Sequence, residues 1–533
     1  MTEYARMLEP EYPRITTAMI TDIPGITASG LRTYVTNHIP YLSFGPNYIE
    51  SFPDRGDRVG GIIQEQGDHI FYWKNDLRDT AKVLVWTAGR GYSLFHGIAD
   101  AVKQKQWEKR LSDYCNELLA KNYPYPIVQL RYTQRSDNGP VDTSLCQFVE
   151  NWNMTFETPK LHIASLPELF SVFEKQFGDQ IPTYTGEITP YWEDGAYSTA
   201  VEESQTRNVA LQTIALEAYL TKMGKLDRHK KELYVLHRNI VLFEEHTWGA
   251  WCSISDPEIP FTTEQWKYKK AFADSALNQY TRLAKEVGFR YQPKRNRAKN
   301  HLSVTDFQID KVSGGLKEIW VGNKNIASTN GPYFFFEPIY MLGINPMQEN
   351  LPSSVKILEE KNTNKIKSAR VSMALPSIHD LIITYHLDKK TSILKCRYAF
   401  EKAEEKQKES MHIALPFSFS NPTVAYRSGN HFITANKDQL PGSNKDFLCT
   451  ENSLQVSENS LTVNIFCPSF NLYETGSIID ENQNQGTKVW KKETGALNNI
   501  FLYVLNNYWH TNFKAYQNGR FEFEIELSVS GHR

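Results

Sequence analysis

The stretch LFEEHTWGAW, Leu242–Trp251, decides how the chain is read. It follows a helical run in which Leu233, Leu236, His237, Ile240, Val241 and Phe243 recur at three- and four-residue spacing, and it precedes a second such run. A helix therefore ends here and the chain bends. His246 stands at the bend among Glu244, Glu245, Trp248 and Trp251. An imidazole offered at such a place can serve a metal built into a site elsewhere, with a neighbouring carboxylate orienting the ring. It can equally be a helix-end histidine satisfied by local hydrogen bonds, because one histidine is a weak metal signal.

The region around this stretch reads as helical. Ser165 and Glu168 have capping-box spacing ahead of Leu169, Phe170, Phe173 and Phe177. A linker from Asp179 to Tyr197 carries Pro182, Gly186, Pro190 and Gly195, and with them the aromatic-acid cluster Tyr191, Trp192, Glu193 and Asp194. One long helix is expected from Thr199 to Met223, closed by Gly224. Another leads into His246, and a third starts near Thr262, with Gln265 in capping-box position, and ends before Gly288. Three helices of this length imply an antiparallel bundle.

Toward the N-terminus the cadence is strand, helix, strand. Ile15–Thr21, Tyr41–Phe44, Lys82–Thr87, Ile127–Thr133 and Lys160–Ala164 read as buried strands. Trp107, Leu111, Tyr114 and Leu118 share one helical face, and Leu145, Phe148, Val149 and Trp152 another, with Asp142 as its cap. This implies a mostly parallel sheet, open or barrel-like, with ligands gathering at the carboxyl ends of its strands. Asp22 follows the first strand and Asp137 the fourth, so both belong on one rim. Paired carboxylates on a rim suit glycoside cleavage, one attacking and one protonating the leaving oxygen. An Asp after a strand is also a common turn residue or helix cap.

Toward the C-terminus the period becomes two. Phe521, Phe523, Ile525, Leu527 and Val529 alternate with Glu522, Glu524, Glu526 and Ser528, and Leu381–Leu387, Ser392–Phe400 and Leu461–Cys467 behave alike. These are half-buried antiparallel strands of a β-sandwich. The charge run Glu401–Glu409 is expected to be a solvated loop or edge. The fold class is thus multidomain α/β + α + β: an incomplete (β/α) barrel over 1–165, a linker and three-helix bundle over 166–292, and a C-terminal β-sandwich over 293–533.

The totals exclude several classes. With 533 residues the chain exceeds one core. A net charge of −2 and the lack of a long basic stretch argue against nucleic acid as a partner. No window reaches the length of a membrane span. Six scattered cysteines without a CxxC argue against a zinc ribbon or a disulfide scaffold. MTEYARMLEPEYPR is no signal peptide, so the chain as given is expected in the cytoplasm; an upstream leader would make it periplasmic or secreted.

Four stretches, in order, resemble glycoside hydrolase family 38, the zinc-dependent retaining α-mannosidases. They are ITDIPGITASG (Ile20–Gly30), SDNGPVD (Ser136–Asp142), TGEITPYWEDGAYST (Thr185–Thr199) and the stretch around His246; HIALPF (His412–Phe417) is a looser match. The resemblance implies an α/β barrel, a three-helix bundle and β-sandwich domains. It implies that Asp22 is the catalytic nucleophile and a zinc ligand, that His246 is the zinc histidine from the bundle, and that Asp137 is the general acid/base. Zinc would then bind sugar hydroxyls and orient the ring, and retention would set the two carboxyls about 5–6 Å apart. A carbohydrate is the implied substrate, with Trp86, Tyr191, Trp192 and Trp248 as candidate sugar-contacting aromatics.

The sequence also departs from the family. Its His-x-Asp element upstream of the nucleophile has no counterpart, since no histidine precedes Asp22. Thr247, Ile26, and Glu193 with Asp194 replace the family's Asp, His and His-Arg pair. The zinc site is expected to be incomplete and the chain to be truncated from a longer product. A catalytically inactive fragment or a carbohydrate-binding protein is the alternative. A non-sugar metallohydrolase would need a third ligand near Asp22, for which His38, His69 and His96 are distant candidates. Open sheet edges on a partial barrel would favour pairing with a partner or a second copy.

Overall fold

The computed structural model describes residues 15–23, 25–46, 68–75, 80–87, 104–132, 139–189, 192–291, 301–343, 348–429, 431–478, 493–509 and 511–531. The chain divides into two compact units, Met1–Tyr191 with Lys437–Asn444, and Trp192–Asn436 with Lys445–Arg533. It is a mixed α/β protein with several sheets and, among the described residues, seven α-helices.

The first unit is built on a five-stranded sheet. Its elements are β1 (Thr17–Asp22), α1 (Ala28–Thr36), β2 (Tyr41–Pro46), β3 (His69–Lys74), β4 (Val83–Thr87), α2 (Gln104–Ala120), α3 (Leu145–Thr155), α4 (Leu166–Phe177) and β5 (Thr183–Thr185). The strand order is β1-β2-β4-β3-β5. β1 with β2, β2 with β4 and β3 with β5 are parallel, whereas β3 and β4 are antiparallel. β2, β3 and β4 are apolar and buried on both faces. One face carries Leu42, Phe44, Phe71, Trp73, Val83 and Val85 and packs on Leu31 of α1 with Ile26, Ile188 and Leu440. The other carries Ile70, Tyr72, Leu84 and Trp86 and packs on Phe170 and Phe173 of α4. Each fully covered aromatic or aliphatic side chain there stabilises the layer by about 1.5–3 kcal/mol.

Two expected strands are not strands. The described part of Ile127–Thr133 carries no ladder: Pro124 and Pro126 precede it, and it is held by side chains instead. Lys160–Ala164 folds back on α3, where Asn153 Oδ1 accepts from Leu161 N at 2.8 Å and Nζ of Lys160 donates to the carbonyl of Asn153 at 2.6 Å. β3 and β5 complete the sheet. Ser165 caps α4 as expected, accepting from the Glu168 amide. Asp142 is not the cap of α3: Ser144 holds that position without a side-chain capping bond, and Asp142 Oδ1 accepts from the Ser144 amide.

The second unit holds three long helices and three antiparallel sheets. α5 (Ala200–Lys222), α6 (Lys230–Glu244) and α7 (Pro260–Glu286) share a core of Val209, Leu216, Leu220, Leu233, Leu236, Ile240, Ala276, Tyr280 and Leu283. α7 starts at Pro260 rather than through a capping box at Thr262, because proline suits the first helical turn and the Thr262 hydroxyl donates to the carbonyl of Asp256. One sheet contains Ile366–Leu375, Ile378–Asp388, Ile393–Lys402, Gly519–Gly531 and Leu461–Phe466 as consecutive neighbours. A second contains Pro338–Leu342, Glu409–Pro416, Asn499–Asn506 and Leu472–Thr475, also in that order, and a third, of three strands, lies over Val304–Asn325. On Gly519–Gly531 the period-two reading holds: Phe523 stacks on Tyr398 at 4.8 Å and Phe521 on Phe400 at 4.9 Å, while Glu526 pairs with Lys395 at 2.8 Å on the other face. The run Glu401–Glu409 is a loop only in its middle. Its flanks, Lys402 and Glu409, form an ion pair at 2.8 Å with both side chains fully buried. Among the described residues no helix is long and apolar enough to cross a membrane.

Candidate active site

In the first unit, Asp22 is the last residue of β1, opposite Pro46 at the end of β2. Its φ is 79°, in the left-handed region. Asp tolerates this better than most residues, yet it costs on the order of 1 kcal/mol and persists only where neighbours dictate it. Thr87 ends β4 at the same rim, paired across to His69, which opens antiparallel β3. The strand order puts β1 and β3 three strand spacings apart, about 14 Å, so Asp22 and His69 are not neighbours. His69 Nε2 instead lies 3.1 Å from the Tyr184 hydroxyl, and burial lowers its pKa.

A buried polar network underlies this rim. Trp86 Nε1 donates to Asp68 Oδ1 at 2.6 Å. Arg131, from the extended segment after Tyr125, donates to the carbonyl of Ile20 in β1 (3.1 Å), to Ser43 Oγ in β2 (2.6 Å) and to Gln129 Oε1 (3.1 Å). Burial pulls its guanidinium down to about 10, against the pull of the Asp68 charge, and it stays cationic at neutral pH. A side chain thus ties this segment to the sheet where a backbone ladder was expected.

The chain after Asp22 is pinned by a second segment. Ile26 N donates to the carbonyl of Ile188 at 2.7 Å, and the fully buried Glu187 accepts from Ala28 N, the first amide of α1, at 2.9 Å. Glu187 is itself held by its backbone: its N–H donates to Asp438 O at 2.8 Å, and its carbonyl accepts from Leu440 N at 2.9 Å and from Ser443 Oγ at 2.9 Å.

In the second unit, the stretch after α6 is tied on two sides. Lys269 Nζ of α7 donates to the carbonyl of Glu245 at 2.6 Å and lies 3.6 Å from its carboxylate. Trp248 N donates to Asn512 O at 2.8 Å, and Asn512 N returns to Ala250 O at 3.1 Å. Gly249 has φ 94°, which permits the bend. His246 Nδ1 pairs with the Glu245 carboxylate. Buried Glu203 of α5 has its pKa raised by burial, opposed by Arg207. Cys252 is buried, with Sγ 3.5 Å from the Thr262 hydroxyl.

Asp137, Tyr191 and His96 lie outside the described residues. Trp86 is fully buried with its ring 4.8 Å from Phe173, so it belongs to the core of the first unit. Trp248 is buried against Phe243, at 5.0 Å, and Trp192 is half-buried, edge-on to Trp509 at 5.8 Å. His38 is exposed. Trp251, in contrast, is 73% exposed. Asp68, Arg131 and Glu187 went unread in the sequence. Asp68 flanks HIFYWK, a strand whose unbroken aromatic run hides its period, and Glu187 follows a strand of only three residues.

Zinc sites use three or more protein ligands as a rule. The donors expected from the sequence are two, Asp22 and His246, and among the described residues no group of three or more His, Cys, Asp and Glu could hold a metal ion.

No protein-family model matches the sequence, and no curated protein matches it. Solved structures do. An α-mannosidase from Enterococcus faecalis V583 is similar with a TM-score of 0.61 at 11% identity, covering 100% of this chain and 76% of that one. A protein in glycosyl hydrolase family 38 from Enterococcus faecalis is similar with a TM-score of 0.54 at 11% identity, covering 99% of this chain and 74% of that one. At this identity the likeness concerns the fold alone: the chain is similar in fold to these two proteins.

Proposed function

We propose that the chain is a glycoside hydrolase cleaving terminal α-mannosyl or related glycosides with retention, Asp22 acting as nucleophile and Asp137 as general acid/base. In this reading the five-stranded sheet is part of a β/α barrel, α5–α7 form a bundle and the antiparallel sheets form a sandwich. The observation that supports it most is the setting of Asp22. It ends a parallel strand in a left-handed turn, at the edge where α/β folds gather ligands, in a chain with the architecture of an α-mannosidase.

The chemistry needs only two carboxyl groups. Asp22 attacks the anomeric carbon as the bond to the leaving oxygen breaks and Asp137 protonates that oxygen. A glycosyl ester forms on Asp22. Water, deprotonated by Asp137, then attacks the same carbon and releases the sugar with its starting configuration. The test is release of nitrophenol from p-nitrophenyl α-D-mannopyranoside, with mass spectrometry of the protein trapped by a 2-fluoro glycosyl fluoride. Label on Asp22 supports the assignment; turnover that survives Asp22→Ala overturns it.

A second reading, carbohydrate binding without cleavage, draws support from the exposed indole of Trp251. It predicts mannoside binding that quenches tryptophan fluorescence, is lost in Trp251→Ala and is accompanied by no turnover.

A further inference from the structure

We infer that Glu187 is a positioning residue for Asp22, holding the strand-to-helix turn that carries it. The kinetic part of this inference rests on the reading of Asp22 as nucleophile; the structural part does not. Asp22 leaves β1 in a left-handed conformation that a free chain would not keep, so something after it must fix the exit. Four residues on, Ile26 is bridged to Ile188, and two further on the first amide of α1 donates to the Glu187 carboxylate at 2.9 Å. The first amides of a helix have no partner inside it, and they favour an anion. Thr27, the residue before them, makes no side-chain capping bond. Glu187 therefore does for α1 what a capping side chain would do, from 159 residues away.

The residue that bears this carboxylate is itself held on several sides. Glu187 is fully buried, its backbone is bonded to Asp438, Leu440 and Ser443, and Thr189 Oγ1 lies 3.4 Å from its other oxygen. The turn after Asp22 thus closes on a fixed point. Glu187 does not touch the reacting atoms in this account. It acts through the turn.

Three variants of the full chain test this: Glu187→Ala, Glu187→Gln and Ala28→Pro. The proline removes the donor with a compatible backbone, because Thr27 has φ −67° and ψ 156°, which suits a residue before proline, and the first helical position tolerates it; Ala28 is buried, so the ring also adds volume there. Two readouts are independent of catalysis: amide hydrogen exchange over residues 22–30, and carbodiimide labelling of Asp22 as a function of pH, read by mass spectrometry. Glu187→Ala and Ala28→Pro are expected to speed exchange at the start of α1 by about tenfold, the equivalent of one buried hydrogen bond, and to shift the pH profile of Asp22 labelling. Glu187→Gln, which keeps an acceptor oxygen, is expected to restore the exchange. In a protein that turns over mannoside, Glu187→Ala should lower kcat with KM little changed, and Glu187→Gln should recover it. Wild-type exchange and labelling in Ala28→Pro would overturn the inference even if Glu187→Ala does not fold. A wild-type chain without turnover would overturn the glycosidase reading alone, since exchange and labelling would still decide the role of Glu187.

Discussion

Replacing Glu337 by Gln should make the stability of this protein less dependent on pH. Glu337 is 1% exposed and precedes the strand Pro338–Leu342. Burial pushes its carboxyl up to about 7 from 4.5, only partly opposed by the Phe334 amide, which donates to Oε2 at 2.7 Å, and nearby Asp310 adds to the rise. A folded-state pKa above the unfolded value means that the folded protein holds this proton more tightly. The stabilisation is complete below about pH 4.5, falls as the pH rises and is gone above about 7. The difference between the two values corresponds to about 3 kcal/mol. Gln cannot ionise, and its carbonyl can still accept from Phe334. Any cost of its extra N–H groups is the same at every pH. Urea unfolding of wild type and Glu337→Gln at pH 5, 6, 7 and 8 should therefore show the variant gaining on wild type by about 2.5 kcal/mol across the range, since part of the difference is already lost at pH 5. A constant difference between the two proteins from pH 5 to 8 would refute the reasoning.

Three further outcomes are expected. Asp22→Asn keeps a residue that tolerates positive φ, so it should lower turnover of aryl mannoside by about a thousandfold or more while leaving Tm near that of wild type. Lys402→Met strands Glu409 in a fully buried site and should cost about 3–5 kcal/mol in urea unfolding, most of it recovered by adding Glu409→Gln. Gly195→Ala would place a Cβ 2.5 Å from the Phe513 ring and 2.8 Å from Trp509 Nε1; a loss of about 1–3 kcal/mol and a changed near-UV circular dichroism of the tryptophans should follow.

The elements legible in the sequence are those whose burial repeats along one chain segment. α2 declared itself by Trp107, Leu111, Tyr114 and Leu118, all of them buried, and Gly519–Gly531 by strict alternation. The expected strand at Ile127–Thr133 failed for the same reason in reverse. Its apolar residues suggested a ladder, but the segment is fixed by one guanidinium reaching β1 and β2, and periodicity does not register such a contact. β3 was missed because all of its interior residues are buried, which erases the alternation on which a strand is recognised. Lys402 and Glu409 were read as solvated because a charge run carries no record of which two charges meet between strands of different sheets.

The candidate site divides along the same line. Asp22 could be read because a strand end is a local event, and the structure adds the left-handed backbone that local pattern does not show. Glu187 could not, because its partner is an amide, and every residue but proline has one. The residues that bear charge toward a substrate announce themselves by type; the residues that hold them still do so through backbone groups common to the whole chain. A reading from residue types therefore finds a candidate such as Asp22 sooner than it finds the residues behind it. The backbone that follows Asp22 is fixed by pairs such as Glu187 with Ala28 and Ile188 with Ile26, which only the folded chain brings into register.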